Sequence, residues 1–103
     1  MPQSSRLRVY VDPDLFDLVP VLKKSLSSDL CDIADALNSG NYESIRESGH
    51  SSLGAAMTYG FDSYADELTT LRQAALDQNE ARLWESLARL KALLENSVFV
   101  PAV

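Results

Sequence analysis

With 103 residues, 46% of them apolar, the chain is long enough for one packed core and too short for two. Nine Lys and Arg against fifteen Asp and Glu leave a formal charge of −6, the opposite of the basic footprint that nucleic-acid binding needs. One histidine and one cysteine exclude a zinc site of the Cys/His kind and an internal disulfide.

Other classes fall away on inspection of the chain itself. No apolar run approaches the roughly 20 residues of a membrane span. The opening Met1-Pro2-Gln3-Ser4-Ser5-Arg6 has no apolar stretch of the secretory-signal kind. No phosphate-cradling glycine loop and no seryl hydrolase elbow are present. The expectation is a cytoplasmic protein whose acidic excess, spread along its helices, favours solubility. Any covalent chemistry must borrow most of its apparatus from a partner.

In chain order, Arg6-Leu7-Arg8-Val9-Tyr10-Val11 alternates loosely and reads as an extended strap, so residues 1–11 are expected to form an N-terminal extended segment. Asp12-Pro13 signals a helix start, with Asp as N-cap and Pro in the first turn. The short piece that follows meets Pro20, where the helix must kink or restart. Leu22, Leu26, Leu30, Ile33 and Leu37 then recur at spacings of four and three, the mark of an amphipathic helix, which Asn38-Ser39-Gly40 ends.

The next helix runs from near Asn41 to about Tyr59, with Tyr42, Ile45, Gly49, Ser52, Ala56 and Tyr59 inward and Gly60 closing it. Another carries Phe61, Tyr64, Leu68, Leu71 and Ala75 on one stripe, as far as Asp77-Gln78-Asn79. The last carries Leu83, Leu87, Leu90 and Leu94 with Trp84 beside them, and is expected to fray before Val98-Phe99-Val100-Pro101. That apolar tail suits packing beside the strap or meeting a partner. Cys31 reads as a small filler or a surface thiol, and Trp84 and the tyrosines as packing residues. Four amphipathic helices joined by short turns predict an all-α fold over 12–103, an up-down-up-down antiparallel four-helix bundle with a short extra N-terminal helix.

On a helical wheel His50 lies well away from the apolar stripe and is predicted to face solvent. Arg46 and Gly54 sit one turn before and after it on the same face, Met57 a further turn along, and Leu53 between this face and the core. Glycine inside a helix costs roughly 1 kcal/mol relative to alanine, and this helix carries two. Gly49 points inward, where it lets a neighbouring helix pack closely. Gly54 points outward, where a bare backbone leaves the imidazole accessible to another protein. On spacing alone, a surface histidine beside an incidental glycine fits equally well.

The stretch Gly49-His50-Ser51-Ser52-Leu53-Gly54-Ala55-Ala56-Met57-Thr58-Tyr59-Gly60-Phe61 resembles the signature of histidine-containing phosphotransfer (HPt) domains. That signature reads roughly His-x-apolar-Lys-Gly-Ser/Ala with a further Gly ten residues after the His; His50, Gly54, Ala55 and Gly60 fall in register. The four-helix layout and the Val9-to-Leu15 front are similar too, so the resemblance covers nearly the whole chain. Two positions depart from it. The family's lysine, which helps neutralise the phosphoryl group and the acidic receiver site, is Leu53 here, and its apolar residue two after the His is Ser52. Arg46 could substitute for the missing charge, or be a surface arginine paired with Glu43 or Glu47. Leu53 suits an apolar docking patch with Met57, or packing at the core edge.

The resemblance implies a phosphorelay intermediary, phosphorylated at His50, that exchanges a phosphoryl group with aspartates of response-regulator receiver domains or takes it from a hybrid histidine kinase. Arg46, Leu53, Gly54 and Met57 would shape the docking surface. Such a chain is a phosphocarrier without turnover of its own and needs no cofactor, metal, nucleic acid or membrane. The alternative is a degenerate bundle of the same kind that binds a receiver or kinase as an adaptor and transfers nothing.

Overall fold

The computed structural model describes residues 7–103; residues 1–6 of the expected extended segment lie outside the described residues. Strand β1 (Leu7–Val11) leads into a single-turn helix α1 (Pro13–Phe16). Four longer helices follow, α2 (Val19–Asn38), α3 (Tyr42–Thr58), α4 (Asp62–Leu76) and α5 (Glu80–Asn96), and the chain closes with strand β2 (Ser97–Pro101). The fold is mostly helical. Helix α2 packs against α3 and α5, and α4 packs against α3 and α5. No helix among the described residues is long and apolar enough to cross a membrane.

Local chemistry sets the helix boundaries. The Asp12 side chain accepts from the Asp14 amide and starts α1. Pro20 falls in the first turn of α2, where its missing N–H costs nothing, so the helix restarts there rather than kinking. Three helices end alike. Gly40 (φ +71°), Gly60 (φ +72°) and Gln78 (φ +54°) take the left-handed conformation, and the next amide reaches back five residues, from Asn41 to Ala36, Phe61 to Ala56 and Asn79 to Ala74. Asn41 and Asn79 then cap the following helix, accepting from the Ser44 and Arg82 amides. Phe61 occupies the same place before α4 with no side-chain cap. Its ring is buried instead, stacked on Tyr64 at 4.8 Å and edge-on to Phe99 at 5.2 Å.

The core is built from the faces that helical spacing marks out. Leu22, Leu26, Ile33 and Leu37 of α2 meet Ile45 and Ala56 of α3, Tyr64, Leu68, Leu71 and Ala75 of α4, and Leu83, Leu90 and Leu94 of α5 in one buried cluster. Leu30, Tyr42, Tyr59 and Leu87 pack at its edge.

The two chain ends depart from the all-α expectation. Helix α5 ends before Val98 as expected, and of the two expectations for the tail the fold takes packing beside the strap: β2 pairs in parallel with β1, Leu7 opposite Ser97 through to Val11 opposite Pro101. Val9 and Val11 of one strand and Ser97 and Phe99 of the other are buried, the alternation a half-buried strand demands. Trp84 is 40% exposed and so is not a core residue. Cys31 is exposed on α2.

Candidate functional site around His50

Helix α3 presents two faces. Ile45, Gly49, Ser52 and Ala56 are buried; His50, Gly54 and Met57 are exposed. Met57 is 64% exposed, one of several large apolar side chains on the surface. A Cβ placed on Gly54 would meet nothing within 4 Å, so no packing within the fold requires glycine there. The bare turn after His50 is open to an approaching surface.

Arg46 is half-buried and engaged. Its guanidinium donates to Glu43 Oε1 at 2.9 Å, one turn earlier on the same helix. The pair leaves little net positive charge beside His50. Leu53 is half-buried and packs against the core cluster, with only part of its side chain on the outer face. Of the sequence-derived set, His50, Gly54 and Met57 therefore share an open face, while Leu53 and Arg46 sit on its inner border.

Ser52 has a different reason to be there. It is buried, and its hydroxyl donates a short hydrogen bond to Asp29 Oδ2 on α2. A carboxylate drawn into a helix interface needs such a donor, which explains a serine at an inward position of α3. The same device recurs between α5 and α4, where buried Ser86 donates to Glu67 Oε2 at 2.7 Å. Tyr64 lies in the same interior; burial first, and then the Asp29 charge, push its phenol well above the usual range. Its hydroxyl has no hydrogen-bond partner.

Gly49 marks the approach of α4. A Cβ there would stand 2.9 Å from Cγ of Arg72, 3.4 Å from its Cδ and 3.4 Å from Cδ2 of Leu71. The stem of Arg72 thus crosses α3 at the residue before His50. Arg72 Nε is buried and has no hydrogen-bond partner.

No family model, curated protein or solved structure matches the chain. Among the described residues no three or more His, Cys, Asp or Glu side chains converge in a way that could hold a metal ion. A groove of about 550 Å³ opens between α2 and α5, lined by Lys23, Leu30, Cys31, Leu87, Lys91 and Leu94 among others, and shares no residue with the His50 face.

Sequence spacing misses Arg72 and Asp29. Asp29 carries a faint signal, three residues after Leu26 and four before Ile33 on the inward side of α2. Arg72 carries none beyond its place next to Leu71, because which residue of α4 crosses Gly49 depends on how two helices dock.

Proposed function

We propose that the chain is a histidine phosphotransfer domain, a phosphocarrier in a bacterial-type two-component phosphorelay with His50 as the phosphorylated residue. The observation that carries this reading is the pairing of an exposed His50 with an unobstructed Gly54 one helical turn later. Gly60, ten residues after His50, supports it with a double role: it is left-handed, and a Cβ there would stand 3.2 Å from the Tyr10 carbonyl oxygen of β1. We take the four longer helices to form an up-down-up-down antiparallel four-helix bundle. Three-residue connections between successive helices and the pairwise packing of α2 to α5 favour that arrangement.

The chemistry asks little of the carrier. A neutral imidazole nitrogen of His50 directs its lone pair at the phosphorus of a receiver's aspartyl phosphate. The N–P bond forms as the P–O bond breaks; the carboxylate leaves with the bonding pair, and the proton on the other ring nitrogen stays. Return to an aspartate is the reverse. Positioning and charge neutralisation carry phosphoryl transfer, and the receiver brings the acidic pocket and its magnesium. The partners are a receiver domain, a hybrid histidine kinase or both, in the cytoplasm, and the docking surface is Gly54 and Met57 with the edges of Leu53 and Arg46.

A second reading keeps the partner and drops the transfer. Leu53 in place of a cation, with Arg46 tied to Glu43, favours an adaptor that binds a receiver without accepting phosphate. The deciding experiment charges receivers from the same organism with acetyl phosphate and mixes them with the chain. Transfer gives an acid-labile gain of one phosphoryl group that His50→Gln abolishes. Binding that survives His50→Gln, without any mass gain, establishes the adaptor.

A further inference from the structure

We propose that Arg72, reaching across from α4, is the residue that holds the phosphoryl group on His50 and so replaces the cation missing at Leu53. The inference rests on the reading of His50 as a phosphoacceptor and adds a positioning residue to it.

Geometry places Arg72 on the correct side of α3. Successive residues of a helix are rotated by about 100°. Ser52 faces α2, because it bonds Asp29. Gly49 faces α4, because Arg72 and Leu71 lie against it. Turning about the axis from Ser52 through Gly49, the residues met next are Tyr42, Leu53, Arg46, Met57 and then His50. His50 therefore stands on the flank of α3 that borders α4, beyond the residue that the Arg72 stem crosses.

Charge and hydrogen bonding point the same way. Among the described residues Arg46 and Arg89 have carboxylate partners within 4 Å; Arg72 has none, as is also true of Arg8 and Arg82. Its Nε–H is shielded from solvent with no acceptor, a costly state for an ionised group. A phosphoryl group on His50 supplies anionic oxygens that suit a guanidinium, whose planar fork binds phosphate through parallel N–H donors. Gly49 also acquires a purpose: with no side chain at that position, the stem lies close enough to α3 for the head to reach its flank.

The test loads the purified chain at His50 with phosphoramidate, a small phosphoryl donor that needs no protein partner, and titrates the product by phosphorus NMR. A cation beside the phosphoryl group lowers its second ionisation. Arg72→Met keeps the stem over Gly49 and removes the charge, so the apparent pKa should rise by about 0.5 or more. Arg72→Lys should restore most of the difference, and Arg46→Met should leave the titration where it was. A purely structural Arg72 would not respond in this way. If Arg72→Met titrates like the unaltered chain, or if Arg46→Met produces the larger change, the proposal is overturned. Failure of every charged receiver to label His50 is a separate result: it removes the relay and leaves the Arg72 contact to be decided by the titration.

Discussion

The hydroxyl of Ser52 donates to the Asp29 carboxylate across the α2–α3 interface, inside the same helix whose other face exposes His50. The two residues fix how α3 is rotated against α2, and so fix which face of α3 looks outward. Ser52→Ala leaves a half-buried carboxylate without its donor, and a hydrogen bond to a charged group contributes about 1.5–3 kcal/mol. Part of that is recovered by water at the half-buried oxygen. Urea denaturation of Ser52→Ala should show a loss of about 1–2 kcal/mol, and the Asp29→Ala, Ser52→Ala double variant should cost less than the sum of the singles. Strict additivity would mean that the bond contributes nothing.

Tyr64 carries a buried hydroxyl without a partner. Removing it in Tyr64→Phe should leave stability unchanged or raise it by up to about 1 kcal/mol, since no hydrogen bond is lost. The pH dependence has a definite sign. The phenol ionises near its ordinary 10.0 in the unfolded chain and only well above that in the folded one. As pH climbs past 10 the unfolded state loses its proton first, so this contribution is full below pH 10 and is lost as pH rises through the folded value. Alkaline denaturation curves of Tyr64→Phe should therefore fall less steeply than those of the parent. A variant destabilised at neutral pH by several kcal/mol would show that the hydroxyl has a partner after all.

Gln78 closes α4 in the conformation that Gly40 and Gly60 adopt freely. A left-handed residue with a Cβ costs roughly 1–2 kcal/mol, offset in part by the greater freedom glycine has when unfolded. Gln78→Gly should raise stability by about 1 kcal/mol, read as a higher urea midpoint at constant m. The reverse changes differ from each other. Gly40→Ala meets open space and suffers only the backbone strain, whereas Gly60→Ala also drives a Cβ against the Tyr10 carbonyl oxygen. Equal losses at the two glycines would contradict that close approach.

His50→Gln changes an exposed side chain and should move stability by less than about 0.5 kcal/mol. Leu53→Lys should cost about 1 kcal/mol, because the stem of a lysine still covers part of the core edge while its head reaches water. Under the relay reading the same variant should speed transfer from a charged receiver. A slower reaction would argue that this surface is shaped to one partner through Leu53.

Much of α3 is legible in its spacing. Ile45, Gly49, Ser52 and Ala56 fall on the inward side of a helical wheel and are buried, and His50 and Gly54 fall outside it and are exposed. What spacing cannot supply is the identity of the neighbour. Ser52 looks like a lapse in an apolar stripe until Asp29 is found opposite, and Gly49 looks like generic close packing until Arg72 is found across it. The β1–β2 ladder is half legible: an apolar tail suits packing beside the strap or meeting a partner, and the choice between them lies in the tertiary structure. Val9 and Phe99 each sit in a short apolar segment, and nothing local to either one specifies a partner at the other end of the chain. Trp84 misleads in the opposite direction, since a large aromatic next to Leu83 reads as core but lies on the outer face of α5.

The parallel pairing of β1 with β2 also orders events in time. A strand made early must wait for its partner until five helices have been synthesised, and such distant pairings form late. Throughout that wait β1 exposes an unpaired edge, a template onto which the β2 segment of another copy can add. Release of the finished segment 97–101 ends the exposure by covering Val9 and Val11 and seating Phe99 against Phe61. A chain cut short before residue 97 would keep its helices and the His50 face, yet carry a permanent invitation to pair with its neighbours.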